Sequence, residues 1–394
     1  MSLFSGDPEI PAGNKEIMNR TPAEGNNLFM VKSYKLLSEL KDGNIFFSPF
    51  SISSALGMTY AGAAGKTETE MGRALEFPKN TVAFHENFGN LTNSINEVSK
   101  KGYLELSIAN SLWLADGYKF TEEFLRTNKT FYNTEMTNLN FAESEKARKT
   151  INDWVAEKTK DKIKDLIPKG ILDALTKLVL TNAVYFKAEW SEQFKKNATE
   201  ESDFFTFGDT VRVDMMNQKK RFNYMENDEL QFIEMPYKGG DASMFVLLPK
   251  KKDGLREIEK KITWTDIEKY TQSLQSKEVE VFFPKFKMSL EYELSELMKR
   301  MGMSDAFSKA ADFSKMTGNK QLYISAIIHK TFIAVDEEGT EAAAATAVVM
   351  RMKSLPPPQD YEVFIADHPF FYFIKENNTG TVLFAGRVVD PSKK

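Results

Sequence analysis

Leu28, Phe29, Val31, Tyr34, Leu36, Leu37 and Leu40 recur at helical spacing and stop at Asp42-Gly43. The chain therefore opens on a predicted amphipathic helix. Ser48-Pro49 has the form of an N-cap with proline at the first helical position. The Ser-, Ala- and Gly-rich stretch 50–64 behind it predicts a buried, tightly packed helix. Helical patterns continue over 67–75, 84–98, 120–132 and 147–166, with a strand-like stretch at 104–114. From Lys177 the texture changes. Residues 178–185 form an almost continuous apolar run, which marks a strand covered on both faces. Strand patterns follow at 204–215, 232–237, 244–249 and 279–286, with helical segments at 255–274 and 290–301. Stretches 322–335, 361–366, 370–374 and 380–389 close the chain as further strands. No repeat and no Gly/Pro/Ser-rich linker divides this pattern, so residues 27–394 read as one large α+β unit. Residues 1–26 carry Gly6, Pro8, Pro11, Gly13 and Pro22 without an apolar core, and are expected to be a flexible extension rather than a signal peptide.

The segment between Val335 and Tyr361 fits none of these patterns. It begins Asp336-Glu337-Glu338-Gly339-Thr340-Glu341 and runs on through Ala342-Ala343-Ala344-Ala345-Thr346-Ala347-Val348-Val349. It ends Met350-Arg351-Met352-Lys353-Ser354-Leu355-Pro356-Pro357-Pro358. One reading is a short alanine-rich helix before a proline loop. The other is a long loop with a basic tip, whose small residues could slide between two strands; loops of this length inside a compact domain are usually functional.

Composition removes most alternatives. The 394 residues are 42% hydrophobic and 27% charged, and 52 basic against 56 acidic residues leave −4. A nucleic-acid partner bound through phosphate neutralisation is not expected. Nor is a membrane partner, since no apolar run approaches the roughly 18 residues of a span. Without cysteine there is no disulfide, thiol nucleophile or thiolate metal site. The three histidines, His85, His329 and His368, make no HExxH pair, and GxSxG, Walker and GxGxxG motifs are absent. We expect no cofactor and no enzyme. His329 and His368 read as hydrogen-bonded structural residues, and the runs Lys219-Lys220-Arg221 and Lys250-Lys251-Lys252 as solvated turns. N-x-Ser/Thr triplets begin at Asn19, Asn90, Asn128, Asn197 and Asn377. They bear weight only in a secreted protein.

Four blocks give the chain a family resemblance. They are Asn44-Ile45-Phe46-Phe47-Ser48-Pro49-Phe50-Ser51, then Thr181-Asn182-Ala183-Val184-Tyr185-Phe186-Lys187-Ala188-Glu189-Trp190. Phe364-Ile365-Ala366-Asp367-His368-Pro369-Phe370-Phe371-Tyr372-Phe373-Ile374 and Gly380-Thr381-Val382-Leu383-Phe384-Ala385-Gly386-Arg387-Val388 complete the set. In this order they resemble the serpins, and the likeness runs from about Asn27 to Pro391. It implies one domain of three β-sheets with eight or nine helices, acting as a monomer, with an exposed reactive loop at 337–358. It also implies a mechanism. A protease attacks the loop and forms an acyl-enzyme, and the freed loop enters the main sheet as a strand, carrying the protease with it and distorting its active site.

The resemblance assigns residues to that mechanism. Gly339, Thr340, Ala342, Ala343, Ala344 and Ala345 match the small-residue hinge of inhibitory members, with Glu337 and Glu341 flanking. Strand parity puts Thr340, Ala342, Ala344, Thr346 and Val348 on one face, all small or β-branched and fit for burial. Family spacing from Glu337 sets the reactive bond at Lys353-Ser354, between Met350, Arg351 and Met352 on one side and Leu355 on the other. Lysine suits a trypsin-like pocket with an aspartate at its base. Arg351 is the bait if the register shifts, and Met350 or Met352 would suit a chymotrypsin-like pocket. Ser48, Ser51, Asn182 and His329 match the polar cluster, called the shutter, where the strands part. Trp190, Lys285 and Glu337 match the breach above it, where insertion begins. A suicide inhibitor of trypsin-like serine proteases is the expected function. A non-inhibitory carrier, chaperone or storage serpin and an inhibitor of papain-like cysteine proteases are the alternatives. An extracellular location is expected, with a cytoplasmic one as the alternative.

Overall fold

A computed structural model describes residues 20–134, 136–340 and 361–393. Its helices are α1 (Pro22–Leu40), α2 (Pro49–Tyr60), α3 (Gly65–Ala74), α4 (Val82–Ser99) and α5 (Glu122–Tyr132). They continue with α6 (Ser144–Lys158), α7 (Leu255–Lys261), α8 (Trp264–Gln272), α9 (Ser295–Arg300) and α10 (Ser314–Thr317). The strands are β1 (Ile45–Phe47), β2 (Leu104–Ala115), β3 (Met136–Leu139), β4 (Leu178–Glu189) and β5 (Glu200–Phe205). Next come β6 (Thr210–Glu226), β7 (Leu230–Pro236), β8 (Ala242–Pro249), β9 (Gln275–Pro284) and β10 (Phe286–Glu293). The last five are β11 (Ile324–Val335), β12 (Gly339–Thr340), β13 (Glu362–Ile365), β14 (Phe370–Glu376) and β15 (Val382–Val388).

The α+β class expected from the pattern holds. The described residues form ten α-helices against the eight or nine implied; α9 and α10, of six and four residues, are the shortest. Six strands make the main sheet in the order β10-β11-β12-β4-β2-β3, and the others follow the path β1-β15-β14-β8-β7-β6-β9-β13 with β5 on β6. The second and third sheets of the family are hydrogen-bonded into one because the 17-residue β6 serves both. Residues 215–224 pair with β9 and residues 223–226 with β7. A large core fills the space between the main sheet, the second sheet and α2, all twelve residues of which are buried. A smaller core lies on the opposite face of the main sheet. There Ile151 and Val155 of α6, with Ile163, Leu166 and Ile167 of the connector behind it, cover Val179, Ala183 and Ile328.

Several expected boundaries move for local reasons. The capping box Thr21–Glu24 with Pro22 at N1 starts α1 inside the expected extension, and Asn26 is buried with its amide donating to the Val382 carbonyl at 2.9 Å. The helix expected over 255–274 breaks at Ile262, where Thr263 caps a second helix through Asp266. That expected over 290–301 is strand as far as Glu293, because Met288 and Tyr292 alternate with exposed Lys287, Ser289 and Glu293 against β11. Helix α6 stops at Lys158, and Lys160 and Asp161 turn the chain with φ of 51° and 61°. Stretch 204–215 is a hairpin of β5 and β6 rather than one strand. The run Lys219-Lys220-Arg221 lies within β6, not beside a turn, and Lys219 and Lys220 are paired with Glu278 and Glu192 at 3.2 and 2.9 Å.

Candidate functional site

Strands β4 and β11 run parallel, paired along 178–185 and 324–332. Above that stretch they separate, and β12 occupies the opening, antiparallel to both: Thr340 faces Val335 of β11 and Ala188 of β4, and Gly339 faces Glu189. Glycine is required at 339 by closeness. A Cβ there would press on the Ala188 carbonyl oxygen and come within 2.7 Å of Glu189 Cα. Thr340 is fully buried, and its hydroxyl meets the Tyr237 phenol at 2.8 Å.

The turn joining β11 to β12 is tied down on every side. Within it, Asp336 Oδ1 accepts from the backbone N–H groups of Glu338 and Gly339 at 2.9 and 3.3 Å, and the Asp336 N–H donates to the Gly339 carbonyl at 2.9 Å. Trp190 donates its indole N–H to the Asp336 carbonyl and its backbone N–H to that of Glu338, both at 2.9 Å. Its ring stacks on Tyr237 at 4.7 Å between centroids. The Lys285 ammonium lies 3.0 Å from the buried Glu337 carboxylate, which also accepts from the Thr199 hydroxyl at 2.7 Å. Burial works to raise the Glu337 carboxyl, but the Thr199 hydroxyl and Lys285 outweigh it and hold it below the ordinary range. Asp336 goes the other way, raised chiefly by burial. Lys196 pairs with Glu338 at 2.6 Å.

Below the hinge lies a row of polar side chains. Asn110 of β2, Asn182 of β4 and His329 of β11 are cross-strand partners in one line, with Tyr292 of β10 next. His329 Nε2 accepts from the Ser48 N–H at 3.1 Å, so Nδ1 carries the proton and donates to Asn182 Oδ1. The Asn182 amide donates to Ser51 Oγ and Asn110 Oδ1. Ser48 caps α2 by accepting from the Ser51 N–H at 3.2 Å, and its own hydroxyl donates to the Leu383 carbonyl at 2.7 Å. Burial holds the His329 imidazole down to about 3, so it is neutral. Breaking one member of such a buried network strands the others, which is the expensive outcome.

The structure therefore brings Ser48, Ser51, Asn182 and His329 into one cluster, and Glu337, Lys285 and Trp190 into another around Gly339 and Thr340. The expected hinge and reactive-loop residues Glu341, Ala342, Ala343, Ala344, Ala345, Met350, Arg351, Met352, Lys353, Ser354 and Leu355 lie outside the described residues. Sequence reading missed Asn110, which a lone Asn in a strand pattern could have flagged. It also missed Thr199, Lys196 and Tyr237, whose loops carry no local signal. His368 is a packing residue as expected, bonded to the Pro249 carbonyl at 2.7 Å. The Asn128 side chain is fully buried, which closes that triplet to a glycan in the folded chain. Among the described residues, no helix is long and apolar enough to cross a membrane.

A family model described as Serpin (serine protease inhibitor) matches residues 24–391. Leukocyte elastase inhibitor of Bos taurus is 42% identical over 377 residues, covering 93% of this chain and 98% of that protein. Among solved structures, Serpin48, a highly specific serpin in the insect Tenebrio molitor, matches with a TM-score of 0.82 at 32% identity over 94% of this chain and 98% of its own. Thyroxine-binding globulin in complex with thyroxine matches with a TM-score of 0.84, also at 32% identity, over 94% and 99% of the two chains.

Proposed function

The chain belongs to the serpin family of serine protease inhibitors, and from that premise we propose that it is a suicide inhibitor of trypsin-like serine endopeptidases, attacked at Lys353-Ser354. Membership places it among inhibitors and not among enzymes. The observation that carries the mechanistic part is β12. One rung of a strand antiparallel to β4 and β11 already stands where the two separate, so a cleaved loop need only continue it.

Continuing that register supports the reading. Gly339 faces Glu189 and Thr340 faces Ala188, so Met350 would face Leu178, the first residue of the twelve-residue β4. The slot thus takes residues 339–350, about 40 Å of strand at ~3.3 Å each. This is shorter than the fourteen residues from Thr340 to Lys353, and it would carry Lys353 just past the far end of the sheet. Thr340, Ala342, Ala344, Thr346 and Val348 would fall on the face of Ala188, Phe186, Val184, Asn182 and Leu180, all buried. By the β11 register, in which Thr340 faces Val335, Thr346 would arrive between Asn182 and His329. A hydroxyl is the right side chain to enter a polar row.

The bait sets the target class. The bovine relative is named for an elastase, whose primary pocket is small, whereas lysine at 353 calls for an acidic pocket of the trypsin kind. Arg351, two residues away, keeps the same class. Similarity to leukocyte elastase inhibitor favours the cytoplasmic alternative, and the expected extracellular location gains nothing from it. Incubation with trypsin followed by denaturing electrophoresis tests the proposal. A stable covalent band is expected; cleavage without one would replace this reading with a carrier role of the kind that thyroxine-binding globulin's structure displays.

A further inference from the structure

We infer that Tyr237 is a positioning residue for strand insertion: its phenol holds the Thr340 hydroxyl, and with it the first rung of the incoming strand, inside the main sheet before any protease arrives. The functional half of this rests on the inhibitory reading above; the latch itself does not.

Tyr237 comes from the opposite sheet. It follows Pro236 at the end of β7, where its N–H donates to the Ala242 carbonyl at 2.9 Å and the Lys238 N–H reaches the Glu189 carbonyl at 2.8 Å. The turn is therefore fixed to β8 on one side and to the end of β4 on the other. The ring has no freedom either, being stacked on Trp190 with planes 5° apart and edge-on to Phe186 at 5.4 Å. Its hydroxyl is thus a fixed point, 2.8 Å from Thr340 Oγ1. Both residues are fully buried. Withdrawal of the hinge separates two buried hydroxyls and leaves the phenol without this partner, so the hinge is biased to stay docked. Because insertion would proceed downward from Thr340, a docked hinge leaves the first residue already in place.

The test uses the full chain. Tyr237→Phe and Thr340→Val each delete one hydroxyl and keep the shape, while Thr340→Ser keeps the hydroxyl. Hydrogen–deuterium exchange on the uncut protein reads the amides of Trp190 and Asp336, which bond the carbonyls of Glu338 and Gly339. Exchange there should accelerate about two- to tenfold in either deletion, the worth of one hydrogen bond. It should be no faster in the double variant and near the parent rate in Thr340→Ser. Unchanged exchange, or a double variant whose effect is the product of the singles, overturns the latch. With trypsin, the ratio of cleaved to complexed inhibitor should rise in the same variants while the association rate stays within about twofold of the parent's. Faster exchange with an unchanged ratio overturns the positioning role. A parent that forms no complex overturns the inhibitory reading instead, and exchange still decides the latch.

Discussion

Replacing Thr340 with arginine puts the insertion mechanism under the greatest load. Thr340 is fully buried between Ala188 and Val335, with its hydroxyl on Tyr237. An arginine there brings a much longer side chain and a charge into a site sized for threonine. Among the described residues the nearby carboxylates are engaged: Glu337 by Lys285 at 3.0 Å, Glu338 by Lys196 at 2.6 Å, Glu189 by Lys238 at 2.8 Å, and Asp336 by the backbone N–H groups of Glu338 and Gly339 at 2.9 and 3.3 Å. An unpaired buried charge costs about 3–5 kcal/mol, and the ready escape is withdrawal of the hinge into water. At ~1.4 kcal/mol per decade, the docked hinge becomes at least about a hundredfold rarer. Attack on Lys353 lies thirteen residues away and is untouched, so deacylation should overtake insertion and the variant should behave as a substrate. The assay is titration of trypsin with inhibitor, read as residual activity and as the covalent band on a denaturing gel. The parent should inhibit near one to one; Thr340→Arg should be cut at Lys353-Ser354 with the protease left active. Glu341→Arg, at the opposite strand parity, should inhibit like the parent. One-to-one inhibition by Thr340→Arg would refute the insertion mechanism for this chain.

The bait, the loop methionines and the buried histidines give three further tests. Lys353→Ala should lose most trypsin inhibition, and mass spectrometry of the released carboxy-terminal peptide should find Ser354 first; loss on Arg351→Ala instead moves the register by two residues. Mild peroxide should slow association with trypsin by turning Met352, next to the scissile residue, into a polar sulfoxide; a Met352→Leu variant equally sensitive to peroxide removes that explanation. Burial holds His329 near 3 and His85 near 4, against about 6.5 in the unfolded chain. Their neutral forms support the fold fully above pH 6.5, and that support is lost as pH falls towards those values, on the order of 1 kcal/mol per pH unit for each. The denaturation midpoint should therefore drop between pH 6.5 and 4.5, before most carboxylates titrate, and a flat profile across that window would contradict the assignment.

What could be read from the sequence follows from where each signal resides. Strand β4 and helix α2 were legible because each is buried on every side and so reads as an unbroken apolar or small-residue run. The hinge was assigned through the family resemblance, with small side chains at one parity over 340–348 as its local counterpart, and Gly339 and Thr340 are its members among the described residues. The last four residues of strand β10, 290–293, were read as helix because Leu290, Leu294, Leu297 and Met298 also satisfy helical spacing. The alternation against β11 that decides the matter is a long-range fact. Tyr237 was invisible for a related reason. Nothing near Pro236 indicates that this turn from the second sheet reaches under the main one, and only the tertiary fold sets it beside Thr340. The polar row was read as four residues rather than five because Asn110 joins it through strand pairing, at a distance of 72 residues from Asn182.

The energy for such a mechanism need not be stored as distorted geometry in the hinge. It can reside in a sheet that is paired less fully than it could be. Strands β4 and β11 share one parallel ladder, interrupted at Ile324 and Ala326, and parallel pairing is slightly the weaker kind. A strand continued from β12 would exchange that ladder for two antiparallel ones and bury four more small or β-branched side chains beyond Thr340. What opposes the exchange is local and can be named. The His329–Asn182 bond must open in a buried site where an unmade partner is costly. The connector behind α6 must also lift Ile163, Leu166 and Ile167 from Val179, Ala183 and Ile328. On the proposed mechanism the barrier would thus lie at the seam and its cover, and the driving force in the strand not yet added. Cutting the loop would then supply no new affinity, only freedom for the chain beyond Thr340 to follow a first rung that is already docked.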